Sequence, residues 1–101
     1  MSETKWTPGP WSVAGTCTVY AVSEDGVNIF DAQVQPGYAG DRRTPVNEIT
    51  ANAQLIAAAP ELYEALEKMV EDDFKSGAPD HYQRTASARA ALAKARGETH
   101  E

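Results

Sequence analysis

Arg42 and Arg43 stand side by side, with Tyr38 four residues before Arg42 and Thr44-Pro45 directly after the pair. Guanidinium groups grip phosphate oxygens through paired N–H donors, and an aromatic ring beside them can lie on a base. Thr44-Pro45 has the form of a helix start, with Thr44 as N-cap and Pro45 in the first helical position. Backbone N–H groups exposed there favour an anion, and nearby glycines let the main chain approach closely. Residues Tyr38, Arg42, Arg43 and Thr44 are therefore the best local binding constellation, suited to a small nucleotide-type ligand. Trp6 and Asn52 are candidate additions. An indole can stack on a base for about 1–3 kcal/mol, and Asn52 sets a lone amide on an alanine-rich helix. Each has a plainer reading: the arginines solvated or paired with Asp41 or Glu48, Trp6 covering a subunit interface, Asn52 simply exposed. Trp11 reads as a core anchor.

Other chemistry is sparse. His81 and His100 lack spaced cysteine, histidine or carboxylate partners, so no metal site is read. No phosphate-binding glycine loop or nucleophile elbow occurs. Asp41, Glu48 and His81 are the one acid–histidine set to consider, and nothing in their spacing brings them together. The expectation is a binding protein with no catalytic residues and no cofactor, not an enzyme.

The net charge is −6, spread unevenly: three bases against six acids in residues 1–50, two against seven in 51–80, four against two in 81–101. An acidic balance argues against duplex nucleic acid, whose binding depends on neutralising phosphates. The row Glu61, Glu64, Glu67 and Glu71 could dock a basic host protein, although such rows are usually the solvated side of a helix. The single Cys17 gives no intrachain disulfide and fits a reducing compartment. No apolar run is long enough to span a bilayer, so a cytoplasmic protein without membrane contact is expected.

These residues need elements to hold them. A polar opening segment (1–10) leads into a sheet (11–34). Trp11-Ser12-Val13 begins a first strand. Thr16 to Ser23 reads as a second, with Cys17, Val19 and Ala21 on one face. Glu24-Asp25-Gly26 signals a hairpin turn, and Val27 to Val34 returns with Asn28, Phe30, Ala32 and Val34 on one face. Residues 35–44 lack periodicity and read as a loop. A helix pair over 45–75 is broken near Ala58-Ala59 by Pro60, with Ile49, Ala53 and Ile56 at helical spacing in its first half. In its second half Leu62, Tyr63, Leu66, Met69, Val70 and Phe74 form an apolar stripe opposite the glutamates. A last helix covers 80–96. The expected fold is α+β: a three-stranded antiparallel meander, a proline-kinked helix and a C-terminal helix in one domain. A chain of 101 residues buries a marginal core. Apolar positions on both sheet faces therefore suggest a homodimer or higher even-numbered oligomer.

Two motifs, Trp6-Thr7-Pro8-Gly9-Pro10-Trp11 and the run Asn52 to Leu62 (NAQLIAAAPEL), resemble a large group of small phage and prophage accessory proteins. There a TPGPW-like start leads into a small sheet and an NAxLIAAAPEL-like segment opens the helical half. The likeness covers Thr7 to about Met69. It implies an accessory protein working in the cytoplasm of an infected bacterial host. By analogy of type it suggests an anti-defence sponge that sequesters a cyclic dinucleotide or cyclic ADP-ribose-like immune signal.

Overall fold

The computed structural model describes residues 5–40 and 42–98. The fold is α+β. Three antiparallel strands, β1 (Ser12–Ala14), β2 (Thr18–Val22) and β3 (Asn28–Gln33), form a meander in the order β1-β2-β3. A two-stranded ribbon follows, β4 (Tyr38–Ala39) with β5 (Arg42–Arg43), and then helices α1 (Val46–Ala57), α2 (Ala59–Lys75), α3 (His81–Arg84) and α4 (Ala86–Ala95). Two compact units divide the chain, Trp6–Pro60 and one built mainly from Glu61 onward.

In the Trp6–Pro60 unit, alternation along the strands decides what is buried. Val19 is fully buried and Ala21 nearly so, while their neighbours Thr18, Tyr20 and Val22 point the other way. The pairs Ser12↔Tyr20, Tyr20↔Asp31 and Thr18↔Gln33 make the outer face largely polar. An apolar layer there was expected, and only Val22 and Ile29, at one end, supply it. The β2–β3 turn is closed by Gly26 N–H to the Ser23 carbonyl (2.9 Å) and Ser23 N–H to the Val27 carbonyl (2.8 Å). Gly26 stands there at φ 83°, where a side chain would be strained.

Helix α1 lies on the inner face of the sheet and buries Ile49, Ala53 and Ala57, spaced four apart. Ile56 is 40% exposed, so the expected Ile49-Ala53-Ile56 row is corrected to Ile49-Ala53-Ala57. Alanine lets the helix backbone approach the strands closely. Val19, Ala53 and Ala57 form the core, with Trp11, Val13, Phe30 and Val34 packed around them. Trp11 and Phe30 are in ring contact (centroids 4.7 Å apart), and the indole N–H donates to the Thr7 carbonyl at 3.1 Å.

The two sequence motifs meet here. A Cβ built on Gly9 would lie 3.0 Å from the Pro60 Cβ, and Trp11 packs on the Ala53-Ala57 cluster. Helix α1 ends at Ala57 and α2 begins at Ala59, so the chain breaks its helix just before Pro60, as the missing N–H of proline requires.

In the other unit, α2 buries Tyr63 and half-buries Leu66 and Val70, while Leu62, Met69 and Phe74 are exposed. The expected stripe is thus covered along one edge only. The predicted C-terminal helix is interrupted at Thr85, whose hydroxyl donates back to the His81 carbonyl at 2.8 Å, a local bond that competes with helix continuation. Arg84 bridges Asp73 and Asp80, and its hydrogen bond to Asp73 is the main influence raising its pKa. Among the described residues, no helix is long and apolar enough to cross a membrane.

Candidate functional site

The segment 35–44, expected as a loop, closes into a ribbon. Tyr38 pairs with Arg43 and Ala39 with Arg42. Below them the Gly37 N–H donates to Thr44 Oγ1 (2.9 Å), the Thr44 hydroxyl donates to the Gly37 carbonyl (3.2 Å), and the Thr44 N–H donates to the same carbonyl (3.0 Å). The threonine side chain extends a ladder otherwise only two residues long. That is why hydrophobic alternation could not announce it.

This use of Thr44 displaces its expected capping role. Pro45 occupies the N-cap position, and its carbonyl accepts the N–H groups of Glu48 and Ile49, both at 3.1 Å. Among the described residues no side chain caps α1, and its first N–H groups are open to solvent or a ligand. The acidic Glu48 stands in this first turn, where the helix dipole favours it.

Between ribbon and helix start lies a cavity of about 400 Å³, lined by Gly37, Tyr38, Arg42, Arg43, Thr44, Pro45 and Glu48. Tyr38 is 71% exposed, and both arginines and Glu48 are exposed as well. Neither arginine forms an ion pair with another described residue, and Glu48 forms none either. Two cations and one carboxylate thus share a cavity without neutralising one another.

The arginines are not equivalent. Residues opposite each other on a ladder share a face, and consecutive residues alternate. Tyr38 and Arg43 therefore form a cross-strand pair on one side of the ribbon, and Arg42 belongs to the other side.

Of the six residues singled out from sequence, Tyr38, Arg42, Arg43 and Thr44 line this cavity; Trp6 and Asn52 do not. Trp6 is half-buried, and Asn52 is exposed one turn beyond Glu48 on α1. Glu48 itself was considered only as an arginine partner or as part of an acid–histidine set. Its neighbour Ile49, buried to 6% exposure, orients the first turn and was the signal available for placing it. Of that acid–histidine set, Asp41 lies outside the described residues, as does His100 of the tail.

A second cavity, of about 460 Å³, is lined by Glu67, Val70, Glu71, Arg89, Leu92 and Arg96. Its arginines are already engaged. Arg89 donates to Thr85 Oγ1 (3.1 Å) and stacks over the Tyr82 ring at 3.7 Å. Arg96 donates to the Tyr63 hydroxyl (2.8 Å) and to Glu98 (3.1 Å). These contacts tie helices together, so the ribbon cavity is the candidate site. Among the described residues, no group of three or more His, Cys, Asp or Glu is placed to hold a metal ion.

Neither the proteins of curated function nor the solved structures contain a match to this chain. A family model does match, over residues 1–99, and the chain accordingly belongs to the phage family described as Salmonella phage P22 protein Y8K6.

Proposed function

We propose that this phage protein is a non-enzymatic binding protein that sequesters a phosphate-bearing nucleotide signal and so blunts host anti-phage defence. One observation carries the reading: Tyr38 and Arg43 are ladder partners on a ribbon whose cavity opens on the uncapped start of α1. A guanidinium beside an aromatic ring matches a phosphate next to a base. The working location is the cytoplasm of the infected bacterium. The working form is a homodimer or higher even-numbered oligomer, supported by the exposed Leu62, Met69 and Phe74.

The test is a thermal-shift and calorimetric screen of the full chain. Its panel holds cyclic dinucleotides, cyclic ADP-ribose isomers and linear nucleotides, with sedimentation of the same samples giving the oligomer order. Ligand at roughly 100 times its dissociation constant adds about 2.7 kcal/mol to stability, a shift of several degrees. Arg43→Ala is expected to abolish that shift. Arg42→Ala should weaken it less, because Arg43 and not Arg42 is the cross-strand partner of Tyr38. Recovery of unchanged ligand after denaturation supports sequestration, whereas turnover products overturn it. A flat panel with folded protein also overturns it.

A second reading draws on Glu61, Glu64 and Glu71, all exposed along α2. They suit a basic host protein that this chain would inhibit or redirect. Reversing their charges would then abolish capture of that protein while Arg43→Ala left it intact.

A further inference from the structure

Among the described residues, Glu48 is the one acidic group in the lining of the arginine cavity, and its position is fixed by the fold. The Pro45 carbonyl takes its N–H at 3.1 Å, and Ile49 anchors the same turn in the core. Elsewhere in the lining, Thr44 holds the ribbon closed through Gly37. The cavity lining therefore presents cations, Arg43 beside Tyr38 together with Arg42, and one acceptor group, Glu48. No ion pair with a described residue consumes either.

A ligand complementary to both kinds of group carries an anion and, apart from it, hydrogen-bond donors. A carboxylate presents two parallel acceptors and no donor. Among the common bases only guanine sets two donors side by side on its pairing edge, N1–H and the N2 amino group. Adenine and cytosine place a ring acceptor next to their amino group, and uracil flanks its single N–H with two carbonyls. Each of those edges would set a lone pair against the carboxylate.

We infer that this cavity is selective for guanine nucleotides: Glu48 receives N1–H and N2–H, Tyr38 covers the base, and Arg43 holds the phosphate. The inference rests on the cavity being the ligand site proposed above. It assigns Glu48, and neither Thr44 nor Asn52, to reading the base. Thr44 spends its hydroxyl on Gly37, and Asn52 lies outside the lining.

Calorimetric titration of the full chain with GMP, IMP, AMP, cyclic di-GMP and cyclic di-AMP tests it. IMP keeps N1–H and lacks the N2 amino group, so it isolates the second hydrogen bond. Guanine ligands are expected to bind about tenfold or more tightly than their adenine counterparts, with IMP between, as suits hydrogen bonds to a charged acceptor. Glu48→Gln keeps the size of an exposed side chain and the fold. It should erase or invert that preference, since an amide offers one donor and one acceptor, the complement of the adenine edge. Equal binding of guanine and adenine ligands overturns the inference and leaves the ligand site standing. So does a guanine preference that survives in Glu48→Gln. Failure of all five probes to bind overturns the inference, and a flat response across the full nucleotide panel overturns both.

Discussion

Gly9 leaves no room for a methyl group. Its virtual Cβ would come within 3.0 Å of the Pro60 Cβ and 3.3 Å of Cγ, and that ring is fixed by α2 and buried. Gly9→Ala should therefore destabilise the chain by about 1–3 kcal/mol, the usual cost of overpacking a filled site. Chemical denaturation should show it as a lower midpoint at unchanged slope. An unchanged midpoint would mean that the opening segment shifts freely and the two motifs are not one packing unit. The same contact explains what could be read at this scale. Trp11 was legible as an anchor because a large apolar ring after a proline turn has few other uses. Gly9 and Pro60 read as turn and helix breaker, but their contact joins distant parts of the sequence that spacing cannot link. The place of Glu48 in the cavity lining was not legible for a related reason: charge type is visible in sequence, whereas where the carboxylate stands is set by the burial of Ile49. The family resemblance rests mainly on residues that build the core, among them Trp11, Ala53, Ala57 and Pro60. It is consequently a folding signature, and Tyr38 and Arg43, the residues proposed to hold a ligand, lie outside both motifs.

Among the elements, the meander and the helix break were legible because each rests on a strong local rule: period-two alternation around an Asp-Gly turn, and proline without an N–H. The ribbon was not. Strands of two residues carry no period, and their closure depends on one hydroxyl making two bonds to Gly37. Thr44→Val keeps the shape and removes both. Each such bond is worth about 1 kcal/mol net. Amide exchange at Gly37 should therefore accelerate about fivefold or more, one kcal/mol being a factor of roughly five. Nucleotide affinity should fall with it, because an opened ribbon no longer sets Tyr38 and Arg43 together. Unaltered exchange at Gly37 would show the main-chain bond from Thr44 to be sufficient. The apolar stripe of α2 was read correctly as a pattern and too generously as a buried face. Sequence gives the width of a stripe, but not how much of it a neighbour reaches. The alanine-rich α4, ten residues against seventeen in α2, offers little with which to cover it.

At the scale of the molecule, the two compact units differ in how much they bury. Among the described residues, Val19, Ala21, Ile49, Ala53, Ala57 and Pro60 are the buried apolar side chains of the Trp6–Pro60 unit, and Tyr63 and Leu92 are those of the other. Burial is the dominant stabilising term, at about 1.5–3 kcal/mol for a large apolar side chain. Opening free energies follow it, and regions poor in buried contacts exchange through partial unfolding. Amides of β2 and α1 are therefore expected to exchange only through global unfolding. Those of α3 and α4 should open at a free energy lower by about 2 kcal/mol, roughly the burial of one further large side chain. Native-state hydrogen exchange read by residue gives both values from one sample. The order has a functional consequence, because the ribbon cavity lies wholly in the better-buried unit. Ligand should then raise the protection of β2 and α1 by its full binding free energy and leave the early opening of α4 unmoved. Ligand-induced protection of α4 equal to that of β2 would instead mean that the two units unfold together, and that the acidic helix is coupled to the site.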